Sequence, residues 1–263
     1  MKSVVDLILS QDCSQSNDEG ATIISPAVMD RLMVPRNLEL HGIGGIDEAG
    51  RGPMIGPLVV CGVSVAADRL PELERIGVKD SKLLTPRRRT ELALLIRGIA
   101  GQVVIRSISA ADIDRQRAAG ITLNEIEAVA FASVLSSLRS EHVFIDSVDV
   151  NPQRFGRVVG ERSGLLSLGC SITSEHHADF KYPIVSAASI VAKVERDREI
   201  ERMRKEFGDI GSGYPSDHKT VQFVRNLVAE GRELPDIVRQ GWVSVKRILV
   251  EGTKNRSGSL GEI

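Results

Sequence analysis

The sequence predicts an α/β core with a helical C-terminal appendage. Two observations lead there. Short runs rich in Val and Ile, bounded by Gly, Pro and Asp, lie before residue 176. The longest helical pattern and two shorter ones come after them. Strands first and helices last is the order of a layered core with helices added at its end. A chain of 263 residues suits one large domain, or one domain with a small appendage.

Residues 1–40 read as an N-terminal extension expected to be poorly ordered, because QDCSQSNDE is polar and aperiodic. Met29 and Met33 follow that stretch and raise an internal start as an expectation. The runs at 43–48 and 57–65 (PLVVCGVSV) read as two strands of a hairpin. A loop and a helix come next in VKDSKLLTPRRRTELALLI. Thr85 is its N-cap and Pro86 sits at the first helical position, where a missing N–H costs nothing. GQVVIRSIS (101–109) is another strand. Thr122 and Glu125 form a capping box, opening a helix with Leu123, Ile126, Val129, Ala130 and Leu138 on or near one face. HVFID (142–146) and GCSITSE (169–175) are short strands. A long helix at 186–207 is small and apolar first, charged later. GDIGSGYPSD (208–217) is a turn-rich loop, followed by helices at roughly 218–230 and 242–251. The tail from 252 is expected to fray.

The net charge is −1, so any basic surface must be local. Cys13, Cys61 and Cys170 are far apart, which argues against a zinc site or a disulfide framework and suits a reducing cytosol. No apolar run approaches the roughly 18–20 residues of a membrane span. Asp6 interrupts the N-terminal apolar stretch and no clean cleavage site follows, so no signal peptide is read and a cytoplasmic location is expected.

Four acids share a context. Asp47 and Glu48 follow a strand-like run, Asp146 ends HVFID, and Asp179 precedes the long helix. Acids at strand ends on one rim of a sheet can converge on a pocket. Ionised together they repel, so some protonate or cations join them. Oxygen-only ligation points to Mg²⁺ or Mn²⁺, and two such ions suit in-line displacement at phosphorus. The plainer reading of each acid alone is a turn former or helix cap. Neighbouring strand side chains also point to opposite faces, so Asp47 and Glu48 share a site only if the backbone bends between them. Directly after them, Gly50 and Gly52 let the backbone approach a ligand, and Arg51 could reach phosphate with a forked set of donors.

In GIDEAGRGPMIGPLVV, DSKLLTPRRR, FIDSVDV, HHADFKYPIVSAASIVAKVERDR and GSGYPSD, in that order, the chain resembles the ribonuclease HII family, in the flavour of its archaeal members. The resemblance runs from about residue 43 to about 250. It implies a ribonuclease H-like fold: a mixed sheet flanked by helices in 41–207, a helical C-terminal subdomain in 208–251 and a flexible tail in 252–263. It implies an endonuclease that cuts the RNA strand of RNA–DNA hybrids and incises at ribonucleotides embedded in duplex DNA. The products would carry 5′-phosphate and 3′-hydroxyl ends, and the roles would be primer removal and ribonucleotide excision repair. Asp47, Glu48, Asp146 and Asp179 fall on the family's acidic positions, the first three as metal ligands, with Asp149 as a rival to Asp146. Two divalent ions, Mg²⁺ or Mn²⁺, would be the cofactors. Gly50, Arg51 and Gly52 would sense the 2′-hydroxyl mainly through backbone groups, Tyr214 would pack on the sugar beyond the RNA–DNA junction, and Lys82 would contact phosphate. A monomer is expected. The tail lacks the clamp-binding pattern of some archaeal members, so no clamp partner is expected.

Lys193, Arg196 and Arg198 share the long helix and face either the nucleic-acid backbone or solvent. His176 and His177 are adjacent and poorly placed to chelate one ion, and Trp242 reads as an anchor of the C-terminal helices. Two rival functions are a metal-free carboxylate enzyme, such as a glycosidase, and a non-catalytic nucleic-acid-binding protein on the same fold.

Overall fold

A computed structural model of the chain describes residues 40–78 and 84–259, the last six of them as backbone only. Residues 1–39 of the expected N-terminal extension, Cys13 among them, and Lys82 and the end of the tail lie outside the described residues.

Five strands form one sheet in the order β3-β2-β1-β4-β5. They are β1 (Ile43–Ala49), β2 (Leu58–Val65), β3 (Gln102–Ile108), β4 (His142–Asp146) and β5 (Ser171–Glu175). β1 and β2 make the expected hairpin, with Ile46 opposite Gly62, and β3 extends it antiparallel. β4 is parallel to β1, and β5 to β4. The carboxyl ends of β1, β4 and β5 therefore share one rim, and the pairing sense switches at β1.

The helices are α1 (Leu70–Arg75), α2 (Pro86–Ile99), α3 (Ala110–Ala118), α4 (Leu123–Ser137), α5 (Pro152–Ser163), α6 (Ala178–Lys181), α7 (Pro183–Phe207), α8 (His218–Ala229) and α9 (Val243–Ser259). They cover both faces of the sheet, because strand side chains alternate. Cys61 and Val63 pack with Ile96 of α2 and with Ala187 and Val191 of α7. Ile46 and Val60 pack with Phe131 of α4 and Phe155 of α5. α7 presses hard on β1. Ala187, Ala188 and Ser189 are buried there, and a Cβ on Gly45 would stand 2.5 Å from the Ile184 carbonyl. That close approach explains why the helix begins small and apolar. The charged half pairs with itself, Arg198 with Glu195 and Arg202 with Glu199.

Both expected caps are present. Thr85 accepts from the Arg88 amide, and Thr122 and Glu125 close the capping box. Three details differ from the sequence reading. α7 starts at Pro183, three residues before the expected Ser186. Val129 is 52% exposed, since α4 buries the neighbouring Ala128, Ala130 and Phe131 instead. α9 runs to Ser259, past the expected fraying point at 252. Gly252 lies so close to α8 that a Cβ would meet Val228 at 2.3 Å, so packing holds a helix that its Gly and Ser content disfavours. α8 and α9 form a small core of their own with Met54 and Ile55 from the β1–β2 loop, Ile200, Val224 and Val245.

Candidate active site

The ladder between β1 and β4 ends at Ile46 opposite Ile145, whereas β1 stays paired to β2 as far as Ala49. β1 thus parts from β4 just before Asp47. The gap has Asp47 and Glu48 on one side and Asp146 on the other. Asp146 ends β4, and its Oδ1 accepts from the Ala178 amide at 2.9 Å. That bond fixes the start of α6 at the same rim, and Asp179, buried, is its next residue. All four expected acids lie along this edge.

Asp47 and Glu48 do point to opposite faces. Asp47 stands opposite Cys61 on the α7 side, bonded to Ser189 of α7 and, through Oδ1, to the Glu48 amide at 2.7 Å. Glu48 stands opposite Val60 on the α4 side. No sharp bend is needed, because both carboxylates border the gap and both feel the charge of Asp146. Burial first, then Glu48 and Asp146, hold the Asp47 carboxyl well above the usual range. Burial, then Asp146, push Glu48 up to about 7. Glu48 Oε2 is buried with no hydrogen-bond partner among the described residues. A dry acceptor of this kind costs about 1–3 kcal/mol.

A divalent cation would offset both the repulsion and the missing bond. The donors are carboxylate oxygens, which suit Mg²⁺ or Mn²⁺. Among the described residues no group of three or more Asp, Glu, His or Cys is placed to hold a metal ion by itself. Mg²⁺ usually keeps several waters and takes one or two carboxylates plus substrate phosphate, so an open rim fits it. Asp149, the rival to Asp146, is engaged elsewhere. Its two oxygens accept from Arg154 Nη2 at 2.7 and 2.6 Å, and Oδ1 also accepts from the Asn151 amide. Those bonds, the Asn151 amide first, keep its carboxyl below the usual range.

The glycine loop follows at once. Gly50 has φ +91°, and a Cβ there would lie 2.5 Å from the Pro57 carbonyl. Gly52 has nothing within 4 Å of its Cβ position, so this face of the loop is open. The other side is fastened by a residue the sequence reading missed. Arg239, wholly buried, donates from Nη2 to the Gly50 carbonyl (2.6 Å), from Nη1 to Arg51 (3.0 Å) and from Nε to Gly56 (3.0 Å). Its guanidinium lies 4.8 Å from the Trp242 ring centroid, and Trp242 packs among the C-terminal helices as expected. A rigid fork of five donors suits three carbonyls at once. The only sequence signal was a lone Arg in DIVRQGW.

Arg196 is a second buried fastening, which corrects the expectation that it faces nucleic acid or solvent. Its Nη2 donates to the Ile55 and Ser212 carbonyls at 3.3 and 3.2 Å, and its Cζ lies 4.9 Å from the Tyr214 ring centroid. The Met54 and Ile55 amides bond to the Gly213 carbonyl. Tyr214, 38% exposed, therefore stands beside the glycine loop. The Arg51 side chain turns inward, paired with buried Glu127 and donating to Asn124 Oδ1 at 2.8 Å. Its forked donors are thus engaged by protein partners, while Arg51 still forms part of a groove wall. Lys193 donates to Ser189 Oγ at 2.8 Å, one step from Asp47. His176 and His177 are exposed.

A five-stranded mixed sheet with helices on both faces, and carboxylates gathered where β1 parts from β4, defines a ribonuclease H-like fold. The family model for ribonuclease HII matches residues 44–245. Ribonuclease HII of Methanothermobacter thermautotrophicus is 49% identical over 206 residues, 77% of this chain and 97% of its own. The solved ribonuclease H2 of Pyrococcus horikoshii is similar at a TM-score of 0.75 and 40% identity, covering 81% of this chain and 99% of that one. The ribonuclease HII of Archaeoglobus fulgidus, solved in complex with PCNA, gives a TM-score of 0.71 at 44% identity, covering 78% and 96%. The chain belongs to the ribonuclease HII family and is a ribonuclease H. The PCNA complex of the A. fulgidus relative leaves the expectation of no clamp partner without support. Among the described residues no helix is long and apolar enough to cross a membrane.

Proposed function

We propose that the chain cuts the RNA strand of RNA–DNA hybrids and incises duplex DNA at embedded ribonucleotides, leaving 5′-phosphate and 3′-hydroxyl ends. It would serve RNA primer removal and ribonucleotide excision repair, in the cytoplasm and as a monomer. The observation that carries this reading is the gathering of desolvated, mutually repelling carboxylates beside a glycine loop open on one face. Asp47, Glu48 and Asp146 would hold two divalent ions, and Asp179 would complete the site from α6. Bound there, Mg²⁺ or Mn²⁺ would supply an activated water and charge stabilisation for the leaving 3′ oxygen. The other work falls to the chain itself. Ser189 orients Asp47, and Arg239 holds the Gly50–Gly52 backbone in one shape. That backbone would read the 2′-hydroxyl, the group that tells RNA from DNA. Tyr214, backed by Arg196, would pack on the deoxyribose beyond the junction. Lys82 is kept as a proposed phosphate contact. Residues 41–207 would form the catalytic domain and those from 208 the helical subdomain.

The test is one gel. Duplex DNA with a single ribonucleotide is incubated with Mg²⁺, with Mn²⁺ or with chelator. Incision at the ribonucleotide with either metal, and none in chelator, is expected. Full activity in chelator would point to metal-free carboxylate chemistry, and an intact duplex in all three lanes would overturn the proposed specificity.

A further inference from the structure

A groove of about 1290 Å³ opens beside the glycine loop, with Arg51, Gly52 and Asp149 in its wall. Leu123, Phe155, Val158 and Trp242 make part of the lining apolar. Five arginines line it against two acids, Glu125 and Asp149. Two of the arginines are committed, Arg51 to Glu127 and Arg154 to Asp149. Both acids are committed as well, Glu125 within its capping box and Asp149 to Arg154. Arg117, Arg162 and Arg247 are exposed, and none of them pairs with an acid among the described residues. A chain of net charge −1 thus gathers an excess of positive charge in one groove, five arginines against two acids, with Arg162 near enough to help hold the Glu125 carboxyl below its usual range after the Thr122 bonds.

The three arginines stand on three different helices, α3, α5 and α9. They are spread around the groove, which suits a ligand with several anionic groups in series better than one small anion. We infer that this groove holds the sugar–phosphate backbone flanking the cut site, with Arg117, Arg162 and Arg247 as its phosphate contacts. The inference rests on the reading of the Gly50–Gly52 loop as a surface that meets a nucleic-acid strand, since the groove begins at that loop. Phosphate contacts of this kind fix register and carry no sequence information.

The test is a salt series. Binding of the full chain to a labelled RNA–DNA hybrid is measured in chelator, so that nothing is cut. Deleting one arginine that neutralises a phosphate lowers the slope of log Kd against log salt by about one. The triple variant Arg117→Ala, Arg162→Ala, Arg247→Ala is expected to lower the slope by about three and to bind about tenfold or more weakly near physiological salt. A control triple, Arg87→Ala, Arg202→Ala, Arg225→Ala, removes the same charge from exposed arginines outside the groove and is expected to keep the slope. An unchanged slope in the groove variant, or an equal fall in the control, would overturn the inference. Single changes such as Arg162→Gln, each expected to remove about one from the slope, guard against a triple variant that misfolds. The wild-type chain is also assayed for cleavage of the same hybrid with Mg²⁺. Binding with the groove-dependent slope but no cutting would sink the nuclease reading and leave the groove standing. Cutting without that slope would do the reverse.

Discussion

Glu48 combines burial and the nearby charge of Asp146 with a carboxylate oxygen that has no hydrogen-bond partner among the described residues. Its carboxyl ordinarily titrates near 4.5 and is pushed up to about 7, by burial first and Asp146 second. Between those values the folded chain keeps a proton that the unfolded chain has released. Stability contributed at Glu48 is therefore lost as pH rises from about 4.5 to about 7, and the loss is complete above that. In chelator at pH 8, Glu48→Gln is expected to raise stability by roughly 1–3 kcal/mol, with the gain shrinking towards pH 5. Thermal melts over that range check it, and a variant less stable than wild type at pH 8 would contradict the assignment of strain to this carboxylate. Asp47→Asn relieves a similar burden but removes a proposed metal ligand. It is expected to abolish incision while the circular dichroism spectrum stays native-like and the chain melts no lower than wild type in chelator, and near-normal turnover would refute the role. At this scale the sequence was informative where chemistry is concentrated. The acidic pair beside Gly50-Arg51-Gly52 was visible at once. The sequence already favours Asp146 over Asp149, because Asp146 directly follows an apolar strand, and the coordinates add that Arg154 and the Asn151 amide hold Asp149.

The glycine loop is an element in its own right, and its shape is not stored in its own residues. Three of its carbonyls hang from Arg239, some 190 residues further along the chain. Arg239→Lys keeps a charge but cannot span three acceptors with one rigid fork. Breaking each neutral bond removes about 0.5–1.5 kcal/mol, more when a charged donor is involved. The variant is expected to melt lower, and its preference for a ribonucleotide over an all-DNA duplex to fall at least about tenfold, a difference of ~1.4 kcal/mol. Measuring kcat/KM on both substrates separates this from simple destabilisation, which would leave the ratio unchanged. Tyr214→Ala should weaken incision at single ribonucleotides more than it lowers the melting temperature, since the ring is partly exposed and only its face meets Arg196. Equal activity on single-ribonucleotide duplexes would remove its role. The hairpin, the Thr85 cap and the Thr122–Glu125 box were legible because their signals are local. The fastening of the loop was not, because Arg239 and Arg196 look like any surface arginine until their surroundings close around them.

Across the whole molecule, the α/β class was legible from strand and helix order, but the order β3-β2-β1-β4-β5 was not. β1 meets β4 only after about 100 intervening residues, and nothing local marks which strands run parallel. That pairing builds the site, because it brings Asp146 to the gap beside Asp47 and Glu48. The C-terminal helices are joined to the same gap through the β1–β2 loop. Met54 and Ile55 are fully buried and Ile200 nearly so, in a core completed by α8 and α9. Removing everything after Phe207 would expose these three side chains and delete Arg239 and Tyr214. Burial of each such side chain contributes about 1.5–3 kcal/mol, so the loss from these three alone rivals the roughly 5–15 kcal/mol that holds a whole domain folded. The truncated chain is therefore expected to aggregate or to lose cooperative melting, not to persist as a compact sheet with a weakened substrate grip. Size-exclusion chromatography and thermal melts of a 1–207 fragment decide between these outcomes. A monomeric, cooperatively melting fragment would show that the sheet and its two large helical faces suffice, and that the C-terminal helices act on the glycine loop without holding the fold.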